Sequence, residues 1–191
     1  MRTANVTRET RETQISVQVN VDGSGQHQVD TEVKFLTHLL ELLATHSLFD
    51  ITVHARGDLV HHLVEDVALT LGQALNQALG DRTGIARFGW AMVPLDESLA
   101  YASVDLARRP YHVIDLKIDK NGVEDMARED IYHFTRSLAT AMEATVHIIV
   151  QHGDNDHHKI ESGIKALAWA LRQAVAHDPR RSGVPSSKGV I

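Results

Sequence analysis

The sequence predicts an α+β protein made by internal duplication: two β-β-α-β-α half-domains giving two sheets with four helices packed between them. Three observations carry this. His-His-x-x-Glu occurs twice, as His61-His62-x-x-Glu65 and His157-His158-x-x-Glu161, and both 157 − 61 and 161 − 65 give 96. Gly57-Asp58 answers Gly153-Asp154 at the same offset, and His38 answers His133 at 95. Strand-like and helix-like apolar patterns also follow each other in the same order in both halves.

Gln14 to Val21 alternates apolar and polar residues into Asp22-Gly23, a strand and a turn, and Gln26 to Thr31 can form the return strand. Phe35, Leu36, Leu39, Leu40, Leu42 and Leu43 recur at helical spacing within Glu32 to Thr45. Phe49 to Ala55 reads as a strand. A helix then opens at Asp58 or Leu59 and runs through Val64, Val67, Leu71 and Leu75 to Leu79, where Gly80 stops it. In the second half Trp90 to Val93, Leu99 to Ala107 and Val113 to Ile118 read as strands, an extra strand relative to the first. Ile131 to Glu143 is a helix, Thr145 to Gln151 a strand, and His157 to Val175 a helix closed before Asp178-Pro179. The chain thus divides into residues 1–82, 83–179 and a basic, Ser/Gly/Pro-rich tail over 180–191, forming one compact unit.

Composition narrows the function. A hydrophobic share of 43% with 23% charged residues is that of a soluble globular protein. A net charge of −6 argues against nucleic acid as a partner but permits a local basic pocket for a small anion. No cysteine is present, which excludes disulfides, thiolate metal sites and cysteine nucleophiles. With no secretory signal pattern at the first residues and no apolar run of membrane-spanning length, the expected compartment is the cytoplasm.

Thirteen histidines without cysteine suit divalent metals that accept imidazole and carboxylate. On a helix, residues i and i+4 share a face, so His61 pairs with Glu65 and His157 with Glu161. The neighbouring His62 and His158 lie about 100° around the helix, so each adjacent pair is better explained by two different metals. Adding His38 and His133 gives three histidines and one glutamate per metal, which leaves open positions for water or substrate. His27, His54, His112, His147, His152 and His177 lack this support and read as ordinary surface or core histidines.

Further segments extend the pattern. They are Arg8-x-Thr10-x-Glu12-Thr13, Phe35-Leu36-Thr37-His38, His46-x-Leu48-Phe49-Asp50, Gly84-Ile85-Ala86-Arg87-Phe88-Gly89, Pro94-Leu95-Asp96-Glu97, Arg109-Pro110-Tyr111 and Pro185-Ser186-Ser187-Lys188-Gly189. In this order, and together with the two His-His-x-x-Glu motifs, they resemble the imidazoleglycerol-phosphate dehydratase family over nearly the whole chain. The resemblance implies dehydration of D-erythro-imidazole glycerol phosphate to imidazole acetol phosphate, a step of histidine biosynthesis, with two Mn²⁺ per active site. The proton to be lost has no adjacent carbonyl to acidify it, so the imidazole ring must serve as electron sink, which a metal ion on a ring nitrogen favours.

By the same resemblance Glu12 is the base, Glu161 the metal-bound carboxylate nearest the chemistry, and His46 and Glu97 lie near the substrate hydroxyls. Arg87, Arg109, Lys165, Ser186 and Lys188 match phosphate-binding positions, the last two supplied by the tail. The family also implies a homo-oligomer of about 24 chains with active sites shared between subunits.

Four positions depart from the family pattern: a shortened segment before His61, Leu42 for a glutamine, Trp90 for an acidic residue, and Arg108 for a glycine. Leu42 and Trp90 favour a second reading, a diverged paralogue acting on another phosphorylated polyol. A third, a non-catalytic metal-assembled particle, would need only the metal ligands and would leave Glu12, Arg87, Arg109, Lys165 and Lys188 unexplained.

Overall fold

Alternating burial of Thr13, Ile15, Val17 and Val19 turns one face of strand β2 (Thr13–Asn20) to the core. A computed structural model describes residues 1–191. In the first half, β1 (Thr3–Glu9), β2, β3 (His27–Asp30), α1 (Lys34–Ser47), β4 (Asp50–Gly57) and α2 (Val60–Leu79) follow in turn. The second half runs β5 (Phe88–Leu95), β6 (Ser98–Asp105), β7 (Tyr111–Asp115), a small hairpin β8–β9 (Gly122–Val123, Met126–Ala127), α3 (Arg128–Ala141), β10 (Thr145–His152) and α4 (Asp156–Ala174).

The two sheets have the same topology. Their strand orders are β1-β2-β4-β3 and β5-β6-β10-β7, antiparallel except for the parallel pairs β3/β4 and β7/β10. The duplication expected from the sequence is therefore present, with one addition. The strand Thr3–Glu9, not anticipated, pairs along β2 and gives the first half's sheet the same four strands as the second's. The hairpin β8–β9 is the other unanticipated element. Helix limits fall within about three residues of expectation, as element ends generally do.

Each sheet buries one face under helices. α2 packs on β1 and β2, and α4 on β5 and β6. The helices also cross between halves, α1 against α4 and α2 against α3, so one continuous apolar core joins the two. Gly72 lies where α2 approaches α3 around Leu138, too closely for a side chain. The hairpin ties the halves further: Asp125 accepts from the first free amides of α1, Lys34 (2.7 Å) and Phe35 (2.9 Å). The tail folds back on the start of the second half, where Gly84 N–H donates to the Gly183 carbonyl at 3.1 Å. No helix is long and apolar enough to cross a membrane.

Candidate metal centres and anion cleft

α2 and α4 each begin a few residues beyond the strand that precedes them, with the motif's histidines in the first turn and its glutamate in the second. Because α2 lies on α3 and α4 on α1, each motif meets the single histidine of the opposite half. His61, Glu65 and His133 bring one ligand atom each to within 4.8 Å of one another, and so do His38, His157 and Glu161. In the second triad Glu161 Oε2 is 3.1 Å from His38 Nε2 and 3.3 Å from His157 Nε2. In the first, Glu65 Oε1 is 3.4 Å from His133 Nε2. Within one chain each triad therefore holds two histidines and one glutamate, rather than three and one. His62 and His158 stand outside both.

All four motif histidines are anchored through Nδ1. His61 Nδ1 is 2.6 Å from Asp130, His62 2.8 Å from Asp58, His157 3.1 Å from Glu124 and His158 2.8 Å from Glu97. An ionised carboxylate only accepts, so Nδ1 carries a proton in each ring, and once the ring is neutral its Nε2 is the nitrogen left for a cation. Carboxylate-anchored histidines with free Nε2 atoms, gathered around a glutamate, form a donor set that fits a divalent cation. Asp96, Glu97 and His158 also converge. There, however, the carboxylates face the protonated Nδ1, which makes that group a hydrogen-bond cluster.

Glu12 and Glu97 occupy equivalent positions, immediately before β2 and β6. Glu12 is 3.8 Å from His62 Nδ1 with its side chain about half exposed. His158, followed by the backbone amide of Asn155, holds the Glu97 carboxyl down to about 2, and Glu97 in turn raises His158. Asp58 raises His62 in the same way.

The triad around Glu161 has two cationic or polar neighbours that the other lacks. Burial alone would raise the Glu161 carboxyl, but Lys165, with Nζ 2.6 Å away, and His38 outweigh it and hold it at about 2. Burial, then the Lys165 charge, lowers His46. His46, Lys165 and Glu161 thus form one neighbourhood.

A separate cleft of about 410 Å³ is lined by Arg87, Arg108, Arg109, Ser186 and Lys188. Arg87 forms a fork on Asp105 at 2.6 and 3.0 Å and donates to the Pro185 carbonyl at 2.7 Å, which fixes the tail. Three of its five N–H groups are spent there and two are left for a ligand. Arg109 is mostly exposed and 3.7 Å from Asp105. The structure brings Arg87, Arg109, Ser186 and Lys188 together. Lys165 and Glu97 do not line this cleft within one chain.

Of the departures, Trp90 lies away from these centres, whereas Leu42 stands one helical turn from both His38 and His46 on α1. Leu42 packs against the core, and Trp90 stands 68% exposed on β5, held through backbone bonds to Gln173. Arg108 lines the cleft but turns its guanidinium to the Gly80 carbonyl and Glu143. Asp130, Glu124 and Asp105 were not expected at the site. They stand 69, 33 and 18 residues along the chain from the groups they hold, and no local pattern marks them.

A duplicated α+β core whose helix starts carry histidine–carboxylate triads, with a basic cleft apart from them, is the framework of an enzyme. The model of the imidazoleglycerol-phosphate dehydratase family matches residues 31–171. The chain belongs to that family of hydro-lyases. It is 49% identical over 191 residues to the imidazoleglycerol-phosphate dehydratase of Dehalococcoides mccartyi, covering 100% of this chain and 97% of that one. It is 48% identical over 194 residues to that of Methanothermobacter thermautotrophicus, covering 100% and 98%. Its fold is similar to the crystal structure of imidazoleglycerol-phosphate dehydratase from Staphylococcus aureus, with a TM-score of 0.85, 31% identity and coverage of 92% of this chain and 99% of that one. The corresponding Pyrococcus furiosus structure gives a TM-score of 0.85 at 35% identity, covering 97% and 100%.

Proposed function

We propose that this chain dehydrates D-erythro-imidazole glycerol phosphate to imidazole acetol phosphate in histidine biosynthesis, with two Mn²⁺ per active site. The observation that carries the reading is the Nδ1 anchoring of His61, His62, His157 and His158, which leaves the four Nε2 atoms as the nitrogens that can turn to a cation. His38, His133, Glu65 and Glu161 complete the donor set. When bound, a divalent ion supplies stabilisation of negative charge on the imidazole ring.

Glu12 accepts the proton from the carbon next to the ring, a role supported by its exposed carboxylate beside His62. Hydroxide leaves from the neighbouring carbon, hydrogen-bonded by His46, which burial and Lys165 bias towards its neutral form. It takes up the proton that Glu12 accepted, so that water departs and Glu12 is restored. The resulting enol tautomerises to the ketone. Glu97 orients His158 and faces the substrate hydroxyls. Arg87 and Arg109 clamp the phosphate, with Ser186 and Lys188 closing over it from the tail.

Lys165 reaches a phosphate only if another chain supplies the cleft, and His62 and His158 likewise find no triad in their own chain. Both facts support active sites shared between subunits of a homo-oligomer of about 24 chains. Other divalent ions that accept imidazole and carboxylate would fit the same donors.

The test is product formation from imidazole glycerol phosphate by Mn²⁺-loaded protein, beside a chelated sample and Glu12→Gln. Turnover by the loaded protein and loss in both controls is the expected result. No turnover by folded, metal-loaded protein would overturn the reading and favour the diverged paralogue.

A further inference from the structure

The two triads occupy equivalent places in the duplication, yet their surroundings differ in charge. Lys165 follows Glu161 by four residues on α4 and places its ammonium 2.6 Å from the Glu161 carboxylate, both side chains mostly buried at 18% and 14% exposure. At the offset of 96 the first half has Leu69, and no lysine or arginine lies within ion-pair distance of Glu65. A cation arriving at the Glu161 triad must share its carboxylate with an ammonium already seated there. One arriving at the Glu65 triad meets no such competitor.

The histidine anchors differ in the same sense. His61 is held at 2.6 Å by Asp130, whose side chain is only 7% exposed. His157 is held at 3.1 Å by Glu124, which is 58% exposed and so more weakly fixed and more screened. Both differences favour the same centre.

We infer that the two metal centres are unequal, the His61–Glu65–His133 triad binding a divalent cation first and the His38–His157–Glu161 triad second, because Lys165 occupies the carboxylate of the latter. This rests on the proposed role of the triads as metal centres. Its consequence is that Lys165 changes partner on loading: the metal takes Glu161, and the ammonium is released to face an anion. The second centre and anion capture are thereby coupled, since an anion that draws Lys165 away leaves Glu161 open to the cation.

The test is a titration of chelator-treated, intact protein with Mn²⁺ alone, following free Mn²⁺ by electron paramagnetic resonance. Two classes of one ion per chain each are expected, separated about tenfold or more, the scale set by partners of metal ligands. Glu65→Gln should remove the tight class and Glu161→Gln the weak one. Lys165→Met should tighten the weak class towards the other, and Leu69→Lys should weaken the tight class. Two ions of equal affinity, or a gap that Lys165→Met leaves unchanged, would overturn the inference while leaving the metal centres standing. Absence of any stoichiometric binding would overturn both.

Discussion

Asp130 lies 2.6 Å from His61 Nδ1, joining the first turn of α3 to the first turn of α2 across the two halves of the duplication. The contact fixes which nitrogen carries the proton and how the ring is turned, so it reaches a bound cation through the histidine. Asp130→Asn should weaken Mn²⁺ binding at the Glu65 triad by about 10- to 100-fold. Competition with a fluorescent chelator measures it, and unchanged affinity would deny Asp130 this role.

In the cleft, Arg87 is held by Asp105 and Pro185, whereas Arg109 is free to swing. Arg109→Ala should therefore raise KM for the phosphorylated substrate roughly tenfold, a loss of about 1.4 kcal/mol, with a smaller change in kcat. Arg87→Lys should do more. It loses the fork on Asp105 and releases the tail, which steady-state kinetics would register as higher KM and lower kcat together.

Arg108 has φ 52°, in the left-handed region where a side chain costs about 1 kcal/mol and glycine costs little. Its bonds to the Gly80 carbonyl and Glu143 offset that strain. Arg108→Ala should destabilise by about 1–2 kcal/mol, because the strain stays and the bonds go. Arg108→Gly should cost about 1 kcal/mol less than Arg108→Ala. Chemical denaturation of the two variants side by side checks the order.

These residues also mark what can be read from sequence. The ligands are legible because duplication repeats them at a fixed offset, and the helices because Leu36, Leu39, Leu40 and Leu43 share a buried face. Strand β1 is not: it is a sheet edge with no fully buried residue, so its alternation carries little apolar contrast. Asp130, Glu124 and Asp105 are invisible for another reason. Their meaning depends on α2 crossing α3, on the β8–β9 turn reaching α4, and on the register that sets Asp105 opposite Phe88 across β5 and β6, and no local periodicity encodes those approaches. The separation of Lys165 from the basic cleft is hidden in the same way, since matching positions cannot say which groups meet within one chain.

Acid stability gives a fourth expectation, remote from the metal ligands. Arg2 grips Asp22 and lowers its carboxyl from 3.8 to about 2, against a smaller opposing effect of burial, while also donating to the Val175 carbonyl beyond α4. A depressed carboxylate stabilises the fold above its unfolded pKa and loses that contribution as pH falls through the folded one. Asp22→Asn should cost about 1 kcal/mol at pH 7 after allowance for solvent screening. The difference from the parent should vanish between about pH 4 and below pH 2, which urea unfolding across that range would follow.

Diffraction at the manganese absorption edge from Mn²⁺-soaked crystals locates the metals directly. Two anomalous peaks per chain are expected. One should lie among His61, Glu65 and His133 and the other among His38, His157 and Glu161, each met by His62 or His158 of a neighbouring chain. Peaks elsewhere, or triads that stay without metal in a protein that turns over its substrate, would contradict the assignment of these ligands.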